Sequence, residues 1–249
     1  MSEMQPEPSF AAVQITFSQG WQVYDKILQY DYMDHQQVYG ILRSHYQSLT
    51  EPFDLLELGC GDASQSVPAL QGSLIRSYRG VDLSAVALQL AEAQVSRLQV
   101  PVLLQVSELL DYLQSCRDRF DQILVAFAVH HLSAKQKQAF WQAAGQCLQP
   151  GGQLLLADVF RLPNESRGQY LDRYQQLMQG QWSAMTATEQ EFINTHIRQS
   201  DFPETDAEMQ AWARAAGFTA IDCLYFGNAD TQKIWRCSRP EGNKRAGLE

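Results

Sequence analysis

Leu55-Leu56-Glu57-Leu58-Gly59-Cys60-Gly61-Asp62-Ala63 is the stretch that decides the fold. Its apolar half reads as a short strand, and the Gly-Cys-Gly that follows reads as a tight turn into a helix. Glycines at 59 and 61 accept a left-handed backbone and leave amides uncovered, so a ligand can lie against them. Asp62 is placed to cap the following helix. The loop ends in Ala63 where a dinucleotide fingerprint would run on to a third glycine, and it lacks the Lys-Ser/Thr of a phosphate-binding loop. Nothing in it asks specifically for a phosphate. Glu57 points the same way: a carboxylate at the strand end repels a pyrophosphate and suits a ligand that carries positive charge.

Outward from this loop the pattern alternates. Apolar runs near 54–58, 79–82, 101–105, 121–127 and 153–159 read as strands, and helical patterns separate them near 63–71, 85–97, 107–115 and 133–148. Such alternation predicts a parallel sheet wrapped by helices. The second strand ends in Gly80-Val81-Asp82-Leu83-Ser84. An acidic residue at that point can accept hydrogen bonds from both ribose hydroxyls of a nucleoside ligand. Ser133 and Gln136 form a capping box at the fourth helix, and Pro150-Gly151-Gly152 stops that helix before the fifth strand.

The flanks read differently. Residues 1–18 lack a pattern and are expected to be poorly ordered. Residues 20–48 carry Val23, Ile27, Tyr30, Val38, Ile41 and Leu42 at helical spacing, which predicts one or two helices. The segment 160–204 is longer than an ordinary connection and reads as a helical insertion. Thr205 and Glu208 then form a capping box for a helix over 205–216. The runs 218–226 and 231–237, joined by turn residues, predict an antiparallel hairpin at the sheet edge.

Composition narrows the function classes. The chain has 249 residues, 45% of them hydrophobic, and a formal net charge of -9. That length supports one full α/β core, and that charge argues against a nucleic-acid partner. Cys60, Cys116, Cys147, Cys223 and Cys237 form no CxxC pair and are expected as free thiols in a reducing, cytoplasmic setting, with no metal. No apolar stretch is long enough to span a bilayer, so no membrane partner is expected.

With these elements in order, the sequence resembles the class I S-adenosylmethionine-dependent methyltransferases of small-molecule type. The motifs ELGCGDA, GVDLS, FDQILVAFAVHHL and LQPGGQLLLADVF carry the resemblance, over residues 50 to 160. It implies a Rossmann-like, seven-stranded, mostly parallel sheet with a terminal antiparallel hairpin, N-terminal helices and a helical insertion after the fifth strand. The divisions are then an N-terminal lid segment, 1–50, and a donor-binding core, 51–160. An insertion capping the acceptor, 161–204, a closing helix and hairpin, 205–240, and a disordered tail, 241–249, follow. The cofactor implied is S-adenosyl-L-methionine, leaving as S-adenosyl-L-homocysteine; its ammonium and sulfonium match the charge logic of Glu57.

The resemblance places Gly59, Cys60 and Gly61 along the methionine part of the donor, with Glu57 beside them. Asp82 would hold the ribose, Leu83 would pack near the adenine, and Ser107 and Glu108 would face the adenine amino group. The carbonyl of Ala126 would approach the methionine amine.

Transfer from a sulfonium needs a positioned nucleophile and, for some acceptors, a base. His130, His131 and His196 are the candidates. The competing readings are a pair that packs or caps at a strand end and, for His196, a surface helix residue. Tyr24 and Tyr32 are expected to reach the acceptor from an N-terminal lid, against simple core packing. Arg161, with Arg167 and Arg173, could recognise a carboxylate on the acceptor, against a solvated helix face with i,i+4 pairs. The acceptor class is a small molecule or short peptide, O-methylation is favoured, and the chain is a monomer or homodimer. A non-catalytic S-adenosylmethionine-binding module is the alternative from another class. An NAD-dependent oxidoreductase is a third reading, opposed by the missing third glycine and by Glu57.

Overall fold

A computed structural model gives the structure, which describes residues 20–227 and 231–242. The predicted N-terminal stretch 1–18 and nearly all of the tail 241–249 lie outside those residues. Two helices, α1 (Trp21–Gln29) and α2 (His35–Ser48), precede the alternating core. The core runs β1 (Phe53–Leu58), α3 (Ser66–Leu70), β2 (Ile75–Asp82), α4 (Ala85–Val95), β3 (Val102–Val106), α5 (Leu109–Ser115), β4 (Phe120–Ala126), α6 (Ala134–Cys147) and β5 (Leu148–Val159). The insertion forms α7 (Arg167–Gln181) and α8 (Ala187–Ser200). The chain then closes with α9 (Asp206–Ala215), β6 (Ala220–Phe226) and β7 (Gln232–Ser238).

The seven strands lie in the order β3-β2-β1-β4-β5-β7-β6, an α/β Rossmann-like sheet. β1 to β5 pair in parallel, whereas β7 pairs antiparallel with both β5 and β6. The hairpin therefore enters the sheet through its second strand, and β6 rather than β7 is the edge. Parallel strands buried on both faces are apolar almost throughout, and Leu55, Leu56, Leu58, Ile123, Leu124 and Val125 are all inaccessible. One core cluster fills the face under α5, α6 and α9; a second fills the face under α2, α3 and α4.

Two local boundaries differ from expectation for backbone reasons. The helix after the glycine loop starts at Ser66, not near 63, because Ala63 still has φ +57°. Asp62 does not cap that helix; its Oδ1 accepts from the Ser64 amide at 3.0 Å, forming a local Asx turn. β5 begins at Leu148, directly after α6, rather than after Pro150-Gly151-Gly152. Phe120 pairs with Leu148 and Gln122 with Gln153, so residues 149–152 leave the register as a bulge around Gly151, at φ +78°.

A third apolar cluster joins α1 to the insertion. Ile27 packs with Tyr170, Tyr174, Met178, Trp182, Ile193 and Ile197. Tyr32 stacks on Trp182 with ring centroids 4.9 Å apart, and its hydroxyl accepts from the Ala184 amide at 2.8 Å. An ion pair, Lys26 to Glu189 at 2.6 Å, bridges the same two segments. Each insertion helix starts at its own capping box, Ser166/Gln169 and Thr186/Glu189. Trp182→Ala is expected to lower the unfolding free energy by about 3–5 kcal/mol. Urea titration checks the magnitude, and hydrogen exchange should place the lost protection in α1, α7 and α8.

Candidate functional site

A cavity of about 360 Å³ opens at the carboxyl ends of β1, β2, β3 and β4, the size of a small-molecule site. Open parallel sheets place ligands at this edge, where the strand order reverses. Here the reversal lies between β1 and β4. Gly59, Cys60, Gly61, Asp82, Leu83, Ser107, Glu108 and Ala126 all line the cavity, as does Tyr24 from α1. Sequence reasoning missed Phe127 and Ala128, which also line it; Phe127 turns the chain out of β4 with φ +53°. Their only sequence signal was their place directly after the fourth strand.

The glycine loop is shaped by two left-handed residues, Gly59 at φ +67° and Gly61 at φ +53°. A Cβ on Gly59 would lie 2.9 Å from the Ala128 Cβ, so a side chain there is excluded twice over. A Cβ on Gly61 would meet nothing within 4 Å: it faces open cavity.

Asp82 fastens the loop to the end of β2. Its Oδ2 accepts from the Gly61 amide and its Oδ1 from the Ser84 amide, both at 2.8 Å. Burial pushes its carboxyl above the usual carboxylate range, and these amides oppose the shift. Glu108, expected beside an adenine, lines the cavity and also serves as N-cap of α5. Its Oε2 accepts from the Leu110 and Asp111 amides at 2.7 and 3.0 Å.

Glu57 is not on the cavity wall. It is 2% exposed beneath the loop, where its Oε2 accepts from the Tyr78 hydroxyl at 2.6 Å. Burial raises its pKa to about 7, with the charges of Asp82 and Asp62 adding to the rise and the hydrogen bonds from Tyr78 and Ser66 opposing it.

The three histidines separate by environment. His131 lines the cavity, and its Nδ1 donates to the Ser200 carbonyl at 3.1 Å. His130 does not reach it. Its Nδ1 donates to Asp158 Oδ1 at 2.5 Å and its amide to Asp158 Oδ2 at 3.0 Å, so it anchors the start of the loop after β4. Burial lowers the His130 pKa, but Asp158 and Asp201 outweigh this and hold it above the ordinary value. His196 lines a second, apolar cavity of about 100 Å³ with Val23, Tyr24, Ile27, Phe192 and Ile193. It is no surface residue: burial pushes its pKa down to about 4.

Tyr32 and Arg161 are corrected as acceptor contacts. Tyr32 is spent on Trp182 and Ala184, as above. Arg161 is a clasp at the root of the insertion. It donates to the carbonyls of Pro203 and Glu165 at 2.7 and 2.5 Å and pairs with Glu204 and Glu208 at 2.9 and 3.0 Å. Arg167 donates to the carbonyls of Asp201 and Arg198 and lies over the Phe202 ring, and Arg173 pairs with Glu165. A guanidinium follows β5 because the insertion must be tied down there.

Residues 55–152 match the family model of the methyltransferase domain. This part of the chain is a methyltransferase domain. The matched residues run from within β1 through the bulge in β5 and so include every cavity residue named above except Tyr24. No curated protein matches it in sequence.

Solved structures share its fold. Magnesium protoporphyrin IX methyltransferase from Synechocystis, solved with S-adenosylmethionine bound, aligns at TM-score 0.60 and 12% identity, over 96% of this chain and all of that one. An O-methyltransferase family protein from Burkholderia thailandensis aligns at TM-score 0.62 and 15% identity, over 83% of this chain and 56% of the other. A cyclopropane synthase from Mycobacterium tuberculosis aligns at TM-score 0.55 and 21% identity, over 76% and 63% of the two chains.

Glu57 carries a pH signature. A carboxyl whose pKa is raised on folding contributes stability that is full below its unfolded value and is lost as pH rises through about 7. Between pH 5 and 8 this one group should cost about 3 kcal/mol of unfolding free energy. Glu57→Gln should remove that difference. Its effect is read by subtracting the variant's denaturant-derived stability from the wild type's at each pH; identical slopes in the two proteins would place the Glu57 pKa in its ordinary range.

Proposed function

We propose that the enzyme transfers the donor's methyl group to a compact organic acceptor, favouring oxygen as the atom methylated, and that it works in a reducing, cytoplasmic setting. The observation that carries the reading is the single cavity that gathers Gly59, Gly61, Asp82, Leu83, Ser107, Glu108, Ala126 and His131. Gly59 and Gly61 would lie along the methionine part, the Asp82 carboxylate would take the ribose hydroxyls, and Leu83 with Ser107 and Glu108 would enclose the adenine. The donor set fits the cofactor. An open face at Gly61 leaves room for the ligand, and the half-buried Asp82 with the buried Glu57 behind it favour a cation over a pyrophosphate.

The acceptor side is bounded by Tyr24, Phe127 and His131. Such an aromatic wall with few polar groups suits a small organic molecule better than a nucleic acid, in keeping with the net charge of -9. The Nδ1 proton of His131 is engaged by Ser200, so the ring's lone pair sits on Nε2. In that tautomer His131 takes the proton that an acceptor hydroxyl loses as its oxygen attacks the methyl carbon. The solved O-methyltransferase family protein of the same fold supports oxygen as the favoured atom. All five cysteines are free, which agrees with a reducing setting.

Calorimetry with S-adenosylmethionine tests the donor assignment. Asp82→Ala should weaken binding by about 1–3 kcal/mol, and Gly59→Val should abolish it in a protein that still melts cooperatively. Wild-type affinity in both would remove the cavity as the donor site. Once an acceptor is found by screening small hydroxylated compounds, His131→Ala should lower turnover by about 100-fold with donor affinity retained. Unchanged turnover would leave methyl transfer to positioning alone.

A further inference from the structure

Behind the donor cavity, three imidazoles surround one carboxylate oxygen. Asp201 Oδ1 lies 3.3 Å from His131 Nδ1, 3.7 Å from His130 Nε2 and 4.0 Å from His196 Nε2. Asp201 is 6% exposed, yet none of these contacts gives this oxygen a well-aligned hydrogen bond. The His196 Nδ1 is likewise buried without a hydrogen-bond partner. A buried carboxylate oxygen left in that condition is costly.

The distances are long for hydrogen bonds and close to another length. Ligand atoms bound tetrahedrally at 2.0–2.1 Å from zinc stand about 3.3 Å apart. The ligand atoms of His130, His131 and Asp201 all lie within 4.8 Å of one another, and they are the one such group among the described residues.

We propose that His130 Nε2, His131 Nδ1 and Asp201 Oδ1 form a binding site for a divalent first-row transition-metal ion, with His196 Nε2 as the fourth ligand. The nitrogen-rich set favours zinc and its neighbours over calcium or magnesium. The surroundings also have the form such sites need. His130 donates its other ring proton to Asp158 at 2.5 Å, the carboxylate–histidine arrangement that fixes a ligating imidazole. Asp158 and Asp201 together supply two negative charges in a buried space, which a dication would balance with all three histidines neutral. His131 exchanges its hydrogen bond to Ser200 for the metal. Its remaining proton then moves to Nε2, so the ring would donate to the donor cavity rather than accept from it. The base role proposed above accordingly belongs to the metal-free enzyme. The site itself stands without that role, because binding is read with no acceptor present.

The competing arrangement is metal-free, with a protonated His130 bridging Asp158 and Asp201. Chelator-stripped full-length protein titrated with Zn²⁺ by calorimetry and with Co²⁺ by visible absorption separates the two. The expected result is one equivalent bound at micromolar affinity or tighter. The Co²⁺ form should show d–d bands without a thiolate charge-transfer band, which excludes the five cysteines. Asp201→Ala should abolish binding. His196→Gln should weaken it at least 10-fold, and Asp158→Asn about 10- to 100-fold. Circular dichroism melts report whether each variant folds, and if Asp201→Ala does not, His196→Gln and the wild-type titration decide. No stoichiometric Zn²⁺ uptake by the wild type, a thiolate band, or wild-type affinity in folded His196→Gln would overturn the site.

Discussion

Everything on the ligand-facing edge depends on where the Asp82 carboxylate puts two backbone amides. By holding Gly61 from the β1 loop and Ser84 from the start of α4, it fixes the ends of two neighbouring strands relative to each other. The left-handed turn at Gly59 and Gly61 then has one way to run, and the cavity acquires its floor. A carboxylate is suited to this because it accepts several hydrogen bonds at once. The cost is burial, visible in the raised pKa values of Asp82 and of Glu57 beneath it. The proposed cationic donor would relieve that cost, so the constraint that shapes the loop would also bias what enters it.

The second organising contact lies on the opposite side of the cavity. Asp158, near the end of β5, holds both the amide and the imidazole of His130. This places His131, the next residue, on the cavity wall, where its ring meets the carbonyl of Ser200 at the end of α8. The insertion is anchored through the same region. The His130 carbonyl accepts from the Phe202 amide at 2.8 Å, and Arg161 closes on Glu204. The strand ends and the insertion thus meet over one small polar cluster, while apolar packing of Ile27 and Tyr32 brings α1 to the same roof.

Much of this was legible in the sequence. Strands buried on both faces leave unbroken apolar runs, so β1, β4 and β5 announce themselves. The glycine loop and Asp82 are recognisable because their backbone geometry admits few residues. What escaped depends on long-range contacts. Arg161 and Tyr32 have chemistry that suits a ligand, and only the fold shows that Glu204 and Glu208 claim one and Trp182 the other. His196 looked like a helix-surface residue because its neighbours in sequence are polar, but the buried face of α8 turns it toward Asp201. The side of the hairpin that joins the sheet was also illegible, since β6 and β7 are both strand-like and only pairing with β5 distinguishes them.

That pairing has a consequence for how the chain is made. β7 occupies the slot between β5 and β6, so during synthesis β5 emerges with an open edge that includes Leu154 and Leu156 and stays open until residues 232–238 appear. Neither the insertion nor β6 can satisfy those amides and carbonyls in the meantime. An exposed apolar strand edge invites pairing with other chains. The interval between the fifth strand and the seventh is therefore the stretch of biogenesis in which this protein is most exposed to aggregation.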